Sequence, residues 1–262
     1  VKNPTSQPLR AILVCVDYSD YLSVTLPYNR HHFSEVMVVT STVDEQTVEV
    51  AKANNAKVFR TASFYTDGAR FNKFRALEEG LDVFGRHGWL CIMDADILWP
   101  KHIDWSFLTA DRLCETPTGQ YFSQHSYLYT PLRRMWEDCD TNIPQEPYWS
   151  QFPLHPQQVE WAGYTQIFHA DDPALGLAPW HQTNWRHAGG ADSWFQRKWS
   201  NESKLRPPFT CLHLGKAGHN WCGRATPYLD GSVPPETDER LRDLRHFMRM
   251  RQATRSYQHE KL

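Results

Sequence analysis

The stretch "WLCIMDADILWP", residues 89–100, decides how the rest of the chain is read. Five apolar residues, Trp89 to Met93, end in two aspartates separated by one alanine, and apolar residues resume at Ile97. A short continuous apolar run bounded by polar residues is the pattern of a buried strand. Ionised carboxylates at the end of such a strand are costly unless something positive meets them. Asp94 and Asp96 stand two residues apart, so both carboxylates can enter one site and chelate a hard cation, Mg²⁺ or Mn²⁺, directly or through water. Taken alone, the pair also fits two acids in a surface loop with ordinary partners.

Working outward, the upstream chain alternates strand and helix signals. "RAILVCV" (10–16) reads as a buried strand followed by a polar turn, "DYSDY". "EVMVVTS" (35–41) is a second, β-branched run, with a short helix expected in "TVDEQTVEVAKANN" behind it, and "AKVFRT" (56–61) is a third strand. Between Asp67 and His87, Phe71, Phe74, Leu77, Leu81 and Phe84 recur every three or four residues, which predicts an amphipathic helix closed by Gly85 and Gly88. This order argues for an α/β fold with a mainly parallel sheet flanked by helices. Ligands of such sheets bind beyond the carboxyl ends of the strands. Asp17, the Thr40–Asp44 turn and Asp94/Asp96 are therefore expected at one crevice.

Residues 105–234 are less regular and rich in Trp, Pro and His, the composition of a binding region built on a sheet. We expect one domain over 1–234, with a nucleotide-binding half at 10–104 and an acceptor half at 105–234. A C-terminal helical extension is expected over 235–262. There "PPETDERLRDLRHFMRMRQATR" has acids first and arginines later, as the helix dipole favours.

The 262 residues carry a net charge of −2, so no global basic field announces a polyanionic partner. No apolar run approaches the ~18–20 residues of a membrane-spanning helix, and the opening "VKNPTSQPLR" lacks the apolar core of a secretory signal, so a cytoplasmic setting is the default expectation. Six scattered cysteines suit reduced thiols better than a disulfide scaffold. Eleven tryptophans serve either core packing or aromatic platforms for a flat ligand such as a sugar ring.

Two later stretches carry chemistry. In "RHAGGADSWFQRKW" (186–199), Gly189 and Gly190 let the backbone approach a ligand, and Asp192 opens a short helix as either its N-cap or a general base. In "CLHLGKAGHNWCGR" (211–224), Cys211, His213, His219 and Cys222 admit a structural zinc site, although their spacing is not that of a standard finger. Alternatively His213 alone joins the two aspartates as a metal ligand, or is simply a hydrogen-bonded histidine in a turn.

"GWLCIMDADILWP" resembles the DxD segment of GT-A (Rossmann-like) glycosyltransferases, in particular the family 2-like group. "RFNKFRALEEGL" (70–81) is similar to that group's sugar-nucleotide helix, "GGADSWF" to the Gly-Gly-Glu-Asp "xED" segment of inverting, galactosyltransferase-like members, and "HLG" to the late histidine that completes the metal site. The resemblance implies a metal-dependent, inverting hexosyltransferase using a UDP-sugar, UDP-glucose foremost. It implies Asp96, Asp94 and His213 at a Mn²⁺ or Mg²⁺ ion, with Asp94 on the ribose or a metal-bound water. Asp17 and Asp44 would touch the nucleoside, Asn72, Lys73 and Gly190 the donor, and Asp192 would be the catalytic base. Ala191 replaces the first acid of the xED pair.

For the acceptor, Trp149, Trp161, Trp180 and Trp185 are expected to shape a pocket, and "WAGYTQIFHADD" (161–172) is similar to acceptor-side segments. Some compact GT-A enzymes of bacteriophages glycosylate hydroxymethylated pyrimidines in DNA, and Arg240, Arg242, Arg245, Arg249, Arg251 and Arg255 suit phosphate contacts. A glycan, lipid-linked or small-molecule acceptor keeps the same chemistry. A sugar-binding module or a zinc-stabilised interaction domain are the non-enzymatic alternatives.

Overall fold

The computed structural model describes residues 9–108, 113–115, 121–123, 127–137, 142–155, 163–215 and 220–233. In chain order the strands are β1 (Arg10–Val14), β2 (Glu35–Ser41), β3 (Lys57–Thr61), β4 (Trp89–Asp94), β5 (Ile97–Leu98), β6 (Leu113–Glu115), β7 (Tyr121–Ser123), β8 (Leu128–Tyr129), β9 (Leu132–Trp136), β10 (Thr165–His169), β11 (Lys204–Leu205) and β12 (Thr210–Leu214). The α-helices are α1 (Ser19–Asn29), α2 (Glu45–Ala53), α3 (Lys73–Phe84) and α4 (Ala191–Phe195).

Seven strands form one sheet in the order β11-β8-β10-β4-β1-β2-β3. β4, β1, β2 and β3 run parallel, and β10 pairs antiparallel to β4. The expected mainly parallel α/β sheet is thus present. All five residues of β1 are buried, because helices cover both faces and no solvent-facing alternation is needed. On one face lie Phe74, Leu77, Leu81 and Phe84 of α3, against Ile12, Met37 and Val39. Gly80 lets that helix sit close: a Cβ there would stand 3.2 Å from the Ile12 side chain and nearer still to Val39. On the other face Leu22 and Leu26 of α1 and Ala51 of α2 pack on Leu13, Val38 and Met93.

A second, three-stranded sheet has the order β5-β12-β9. Its middle strand aligns His213 with Ile97 on one side and with Met135 on the other. β6 and β7 form a separate antiparallel pair.

The structure corrects the expected elements in specific places. The first strand ends at Val14, and "DYSDY" leads into an eleven-residue helix, α1, rather than a simple turn. The helix expected from Asp67 begins only at Lys73, because Asp67 has a left-handed φ of 55° and Asn72 caps α3 by accepting the Arg75 N–H at 3.1 Å. Part of the segment expected on the acceptor side, "TQIFH", is β10, a fully buried strand paired with β4. The C-terminal helix and its arginines lie outside the described residues.

Candidate active site

The carboxyl ends of the parallel strands meet at an open cavity of about 140 Å³, lined among others by Val14, Tyr18, Lys73, Asp94, Asp96 and His213. Asp44 braces the strand ends beside it. As the N-cap of α2 it accepts the Thr47 N–H at 3.0 Å, and it also accepts the hydroxyls of Thr47 (2.7 Å) and Thr40 (3.2 Å) and the Asp17 N–H (2.9 Å). Its carboxylate therefore binds the ends of β1 and β2 together. Asp17 is exposed, in a left-handed conformation with φ 57°. Asn72 is buried and committed to local structure: besides capping α3 it donates to the Thr183 carbonyl at 2.7 Å.

That cap delivers Lys73, the first residue of α3, whose ammonium pairs with Asp94 Oδ1. Burial alone would push the ammonium down, but the charges of Asp94, then Asp192 and Asp96, outweigh it and raise the pKa. Lys73 is thus a half-buried, positively charged group under the influence of three carboxylates.

Asp96 is placed differently. Its Oδ1 is buried without a hydrogen-bond partner and stands 3.7 Å from His213 Nε2. Burial, reinforced by Asp94, pushes its carboxyl up to about 7. Burial, then the charge of Arg133, holds His213 well below the ordinary imidazole value, so the ring is neutral. β5 brings the pair together through its pairing with β12, and the Leu214 N–H donates to the Asp96 carbonyl at 2.8 Å.

An orphaned carboxylate oxygen beside a neutral imidazole fits Mn²⁺ or Mg²⁺, with the remaining positions left to water and substrate oxygens. Asp94 faces Lys73, and among the described residues no three His, Cys, Asp or Glu side chains cluster as a metal site. The described protein donors for a cation are therefore Asp96 and His213, with Asp94 beside them.

Asp192 is the second residue of α4, not its cap; that place belongs to Gly190, at φ 99°. Its carboxylate accepts the Gly163 N–H on Oδ2 and the Ser193 N–H on Oδ1, both at 2.8 Å. Its charge helps raise the pKa of Lys73.

The zinc alternative does not match the geometry. Cys211 is fully buried, donates to the Leu132 carbonyl at 3.3 Å, and has a thiol pushed up to about 12 by burial. His219 lies outside the described residues. Of the tryptophans expected around an acceptor, Trp149 and Trp180 are buried in hydrophobic clusters, Trp185 packs partly buried beside Gly190, and Trp161 is not described.

Sequence reasoning missed three groups. Thr25 and Asn29, buried on α1, grip the acidic turn: Thr25 Oγ1 donates to the Ala95 carbonyl at 2.5 Å, and Asn29 exchanges hydrogen bonds with Ile97 and Trp99 at 2.7 and 2.9 Å. Arg224 donates to both Asp20 oxygens at 2.6 and 2.8 Å and to the Asp17 carbonyl, while Asn220 bonds the Tyr18 hydroxyl. The Trp221 carbonyl accepts the Ala188 N–H at 2.8 Å, so residues 220–224 strap the cavity on two sides. The third group is the Gly163–Tyr164 dipeptide. Polar residues inside an unrecognised helix, and a lone arginine after the histidine motif, gave no periodic signal to find them by.

No protein-family model and no curated protein matches the chain. Solved structures similar to it include mannosyl-3-phosphoglycerate synthase from Rubrobacter xylanophilus, at 16% identity and a TM-score of 0.37, covering 62% of this chain and 53% of that one. Glucosyl-3-phosphoglycerate synthase from Mycobacterium tuberculosis, crystallised with Mn²⁺, UDP and its glucosylated product, is similar at 12% identity and a TM-score of 0.42, covering 80% and 71%. The galactosyltransferase LgtC, in complex with donor and acceptor sugar analogues, is similar at 13% and 0.36, covering 62% and 58%. The chain thus spans about half the length of the first of these proteins. At such scores the likenesses carry no weight, and the reading of the site rests on its own residues.

Proposed function

We propose that the chain is a glycosyltransferase of the GT-A type that moves a hexose from a UDP-sugar to a hydroxyl acceptor with inversion. The observation that supports this reading is that Lys73, Asp94, Asp96 and His213 line one cavity at the carboxyl edge of a parallel sheet, with Asp96 Oδ1 unsatisfied among the described residues and the charge of Asp192 acting on Lys73. Three carboxylates outnumber the one ammonium, so the charge this cluster lacks is positive and a divalent cation would supply it; a diphosphate would then share that cation with Asp96 and His213 and pair with Lys73.

When bound, the divalent cation supplies positive charge against the departing diphosphate. Lys73 adds a fixed ammonium to the same group, and Asp94 holds that ammonium in place. Asp192 takes the proton of the acceptor hydroxyl as its oxygen forms the new bond to the anomeric carbon. The bond from that carbon to the diphosphate breaks, and its electron pair leaves with the diphosphate. Asp94 would also meet the ribose, with Tyr18 of the cavity lining and the neighbouring Asp17 on the nucleoside.

A DNA acceptor rests on arginines outside the described residues, and no described feature favours it over a glycan, a lipid-linked sugar or a small molecule. Among the described residues no helix is long and apolar enough to cross a membrane. The deciding experiment incubates the protein with Mn²⁺ and a panel of UDP-sugars. The acceptors are hydroxymethylated DNA, oligosaccharides, lipid-linked sugars and water, with products read by mass spectrometry and anomeric NMR. A new glycoside of inverted configuration supports the reading. Neither transfer nor donor hydrolysis with any donor sinks it, and retained configuration removes Asp192 from the role of base.

A further inference from the structure

Gly163 precedes β10 and links the acidic turn to the candidate base. β10 runs antiparallel to β4 with Thr165 opposite Met93. Continued back by two residues, that register sets Tyr164 against Asp94 and Gly163 against Ala95. The Tyr164 carbonyl accepts the Asp94 N–H at 2.9 Å, while the Gly163 N–H donates to Asp192 Oδ2 at 2.8 Å. One dipeptide thus grips the acidic turn through its carbonyl and the Asp192 carboxylate through its amide.

The contact also has a steric side. A Cβ on residue 163 would overlap the Asp192 Cβ and stand 2.9 Å from Oδ2 and 3.0 Å from Cγ. No real Cβ is accommodated at such distances, so any side chain at 163 must drive Asp192 away. Glycine is required here by close approach and not by backbone conformation.

We infer that Gly163 is a positioning residue: through its N–H and its missing side chain it fixes Asp192 relative to the Asp94–Asp96 turn, and so sets the distance between base and donor. This rests on the glycosyltransferase reading above. Moving a reacting group by about 1 Å can cost on the order of 10²-fold in rate. The added methyl of Gly163→Ala has to produce a shift of that order or distort the backbone.

The test has an arm that needs no activity. Gly163→Ala should lower the melting temperature by a few °C, in the range of overpacking a close contact. Asp192→Gly, which removes the opposing Cβ, should restore most of that loss in the double variant. Additive melting effects would overturn the contact. In the second arm, Gly163→Ala should lower kcat for transfer roughly 10²-fold while the Kd for UDP with Mn²⁺ stays within about twofold, and adding Asp192→Asn should cost little more. A parallel loss of UDP affinity, or an undiminished kcat, would overturn the positioning role. Wild-type protein without transfer would instead refute the glycosyltransferase reading and leave the melting arm intact.

Discussion

Asp96 Oδ1 and His213 Nε2 face each other at 3.7 Å, too far for a hydrogen bond and close enough to share one cation. Asp96 stands just before β5 and His213 lies on β12 of the same three-stranded sheet, where the pairing of Ile97 with His213 aligns them. A buried carboxylate beside a neutral imidazole is poorly satisfied until a cation arrives, which makes the pair a sensitive place to probe.

Asp96→Asn should weaken Mn²⁺ binding by more than the roughly 10–100-fold typical of outer-shell partners, as read by calorimetry in the presence of UDP. Because burial holds the Asp96 carboxyl near 7, protons compete with the cation, and wild-type affinity should fall as pH drops through that value. The metal-free protein should behave in the opposite sense. A carboxyl raised on folding binds its proton more tightly in the native state, so stability declines as pH rises from about 4 to about 7. Denaturant melts at fixed pH test the sign, and flat stability across that window would contradict it.

Asp192→Asn should lose transfer by ~10²–10⁴-fold, the usual share of a general base, and keep nucleotide binding. Single-turnover kinetics beside UDP titrations separate the two, and unchanged turnover would exclude Asp192 as the base.

Lys73→Met should weaken UDP by roughly 10–100-fold, equivalent to one charge-assisted hydrogen bond of about 1.5–3 kcal/mol. Uridine, which lacks the phosphates, should be affected far less. Equal losses for both ligands would place Lys73 in a structural role beside Asp94.

Glu78 predicts a stability effect away from the chemistry. It is buried, accepts the N–H groups of Trp180 and His181 at 3.0 Å, and pairs with the His181 ring at 2.5 Å and with Arg86 at 2.8 Å. Burial alone would raise its carboxyl, yet His181 and then Arg86 hold it below the ordinary value. Its contribution is therefore present above the ordinary Glu range and lost as pH falls through the depressed value. Glu78→Ala should cost on the order of 3–5 kcal/mol, as for breaking a buried pair, and should remove that acid-side slope from the melting curve.

The parallel core was legible because its strands are continuous apolar runs: "EVMVVTS" is β2 from end to end, and "WLCIMD" is β4. α1 was not legible. It contains Pro27, and it buries Thr25 and Asn29 by hydrogen-bonding them to a loop seventy residues away, which mimics no apolar period. β10 was hidden for a related reason: it buries Thr165, Gln166 and His169 along with Ile167 and Phe168, so no continuous apolar run marks it. Asp94, Asp96, His213 and Asp192 stood out by residue type and Lys73 through the family resemblance; the structure lines one cavity with Asp94, Asp96, His213 and Lys73. Their different states were not readable: only the three-dimensional arrangement gives Asp94 a lysine and Asp192 two backbone amides, and leaves Asp96 Oδ1 without a hydrogen bond among the described residues.

The strap closed by Arg224 has a bearing on how the protein is made. That guanidinium reaches Asp20 across 204 residues of chain, and His213 reaches the acidic turn across more than half of that span. Synthesis proceeds from the N-terminus at about 5–20 residues per second, so Asp94 and Asp96 leave the ribosome well before the histidine and the strap. During that interval the nascent chain holds its two acids without His213 and the strap beside them. Competence arrives late, with the emergence of residue 224, and a truncated or stalled chain would carry the acidic motif yet stay inert.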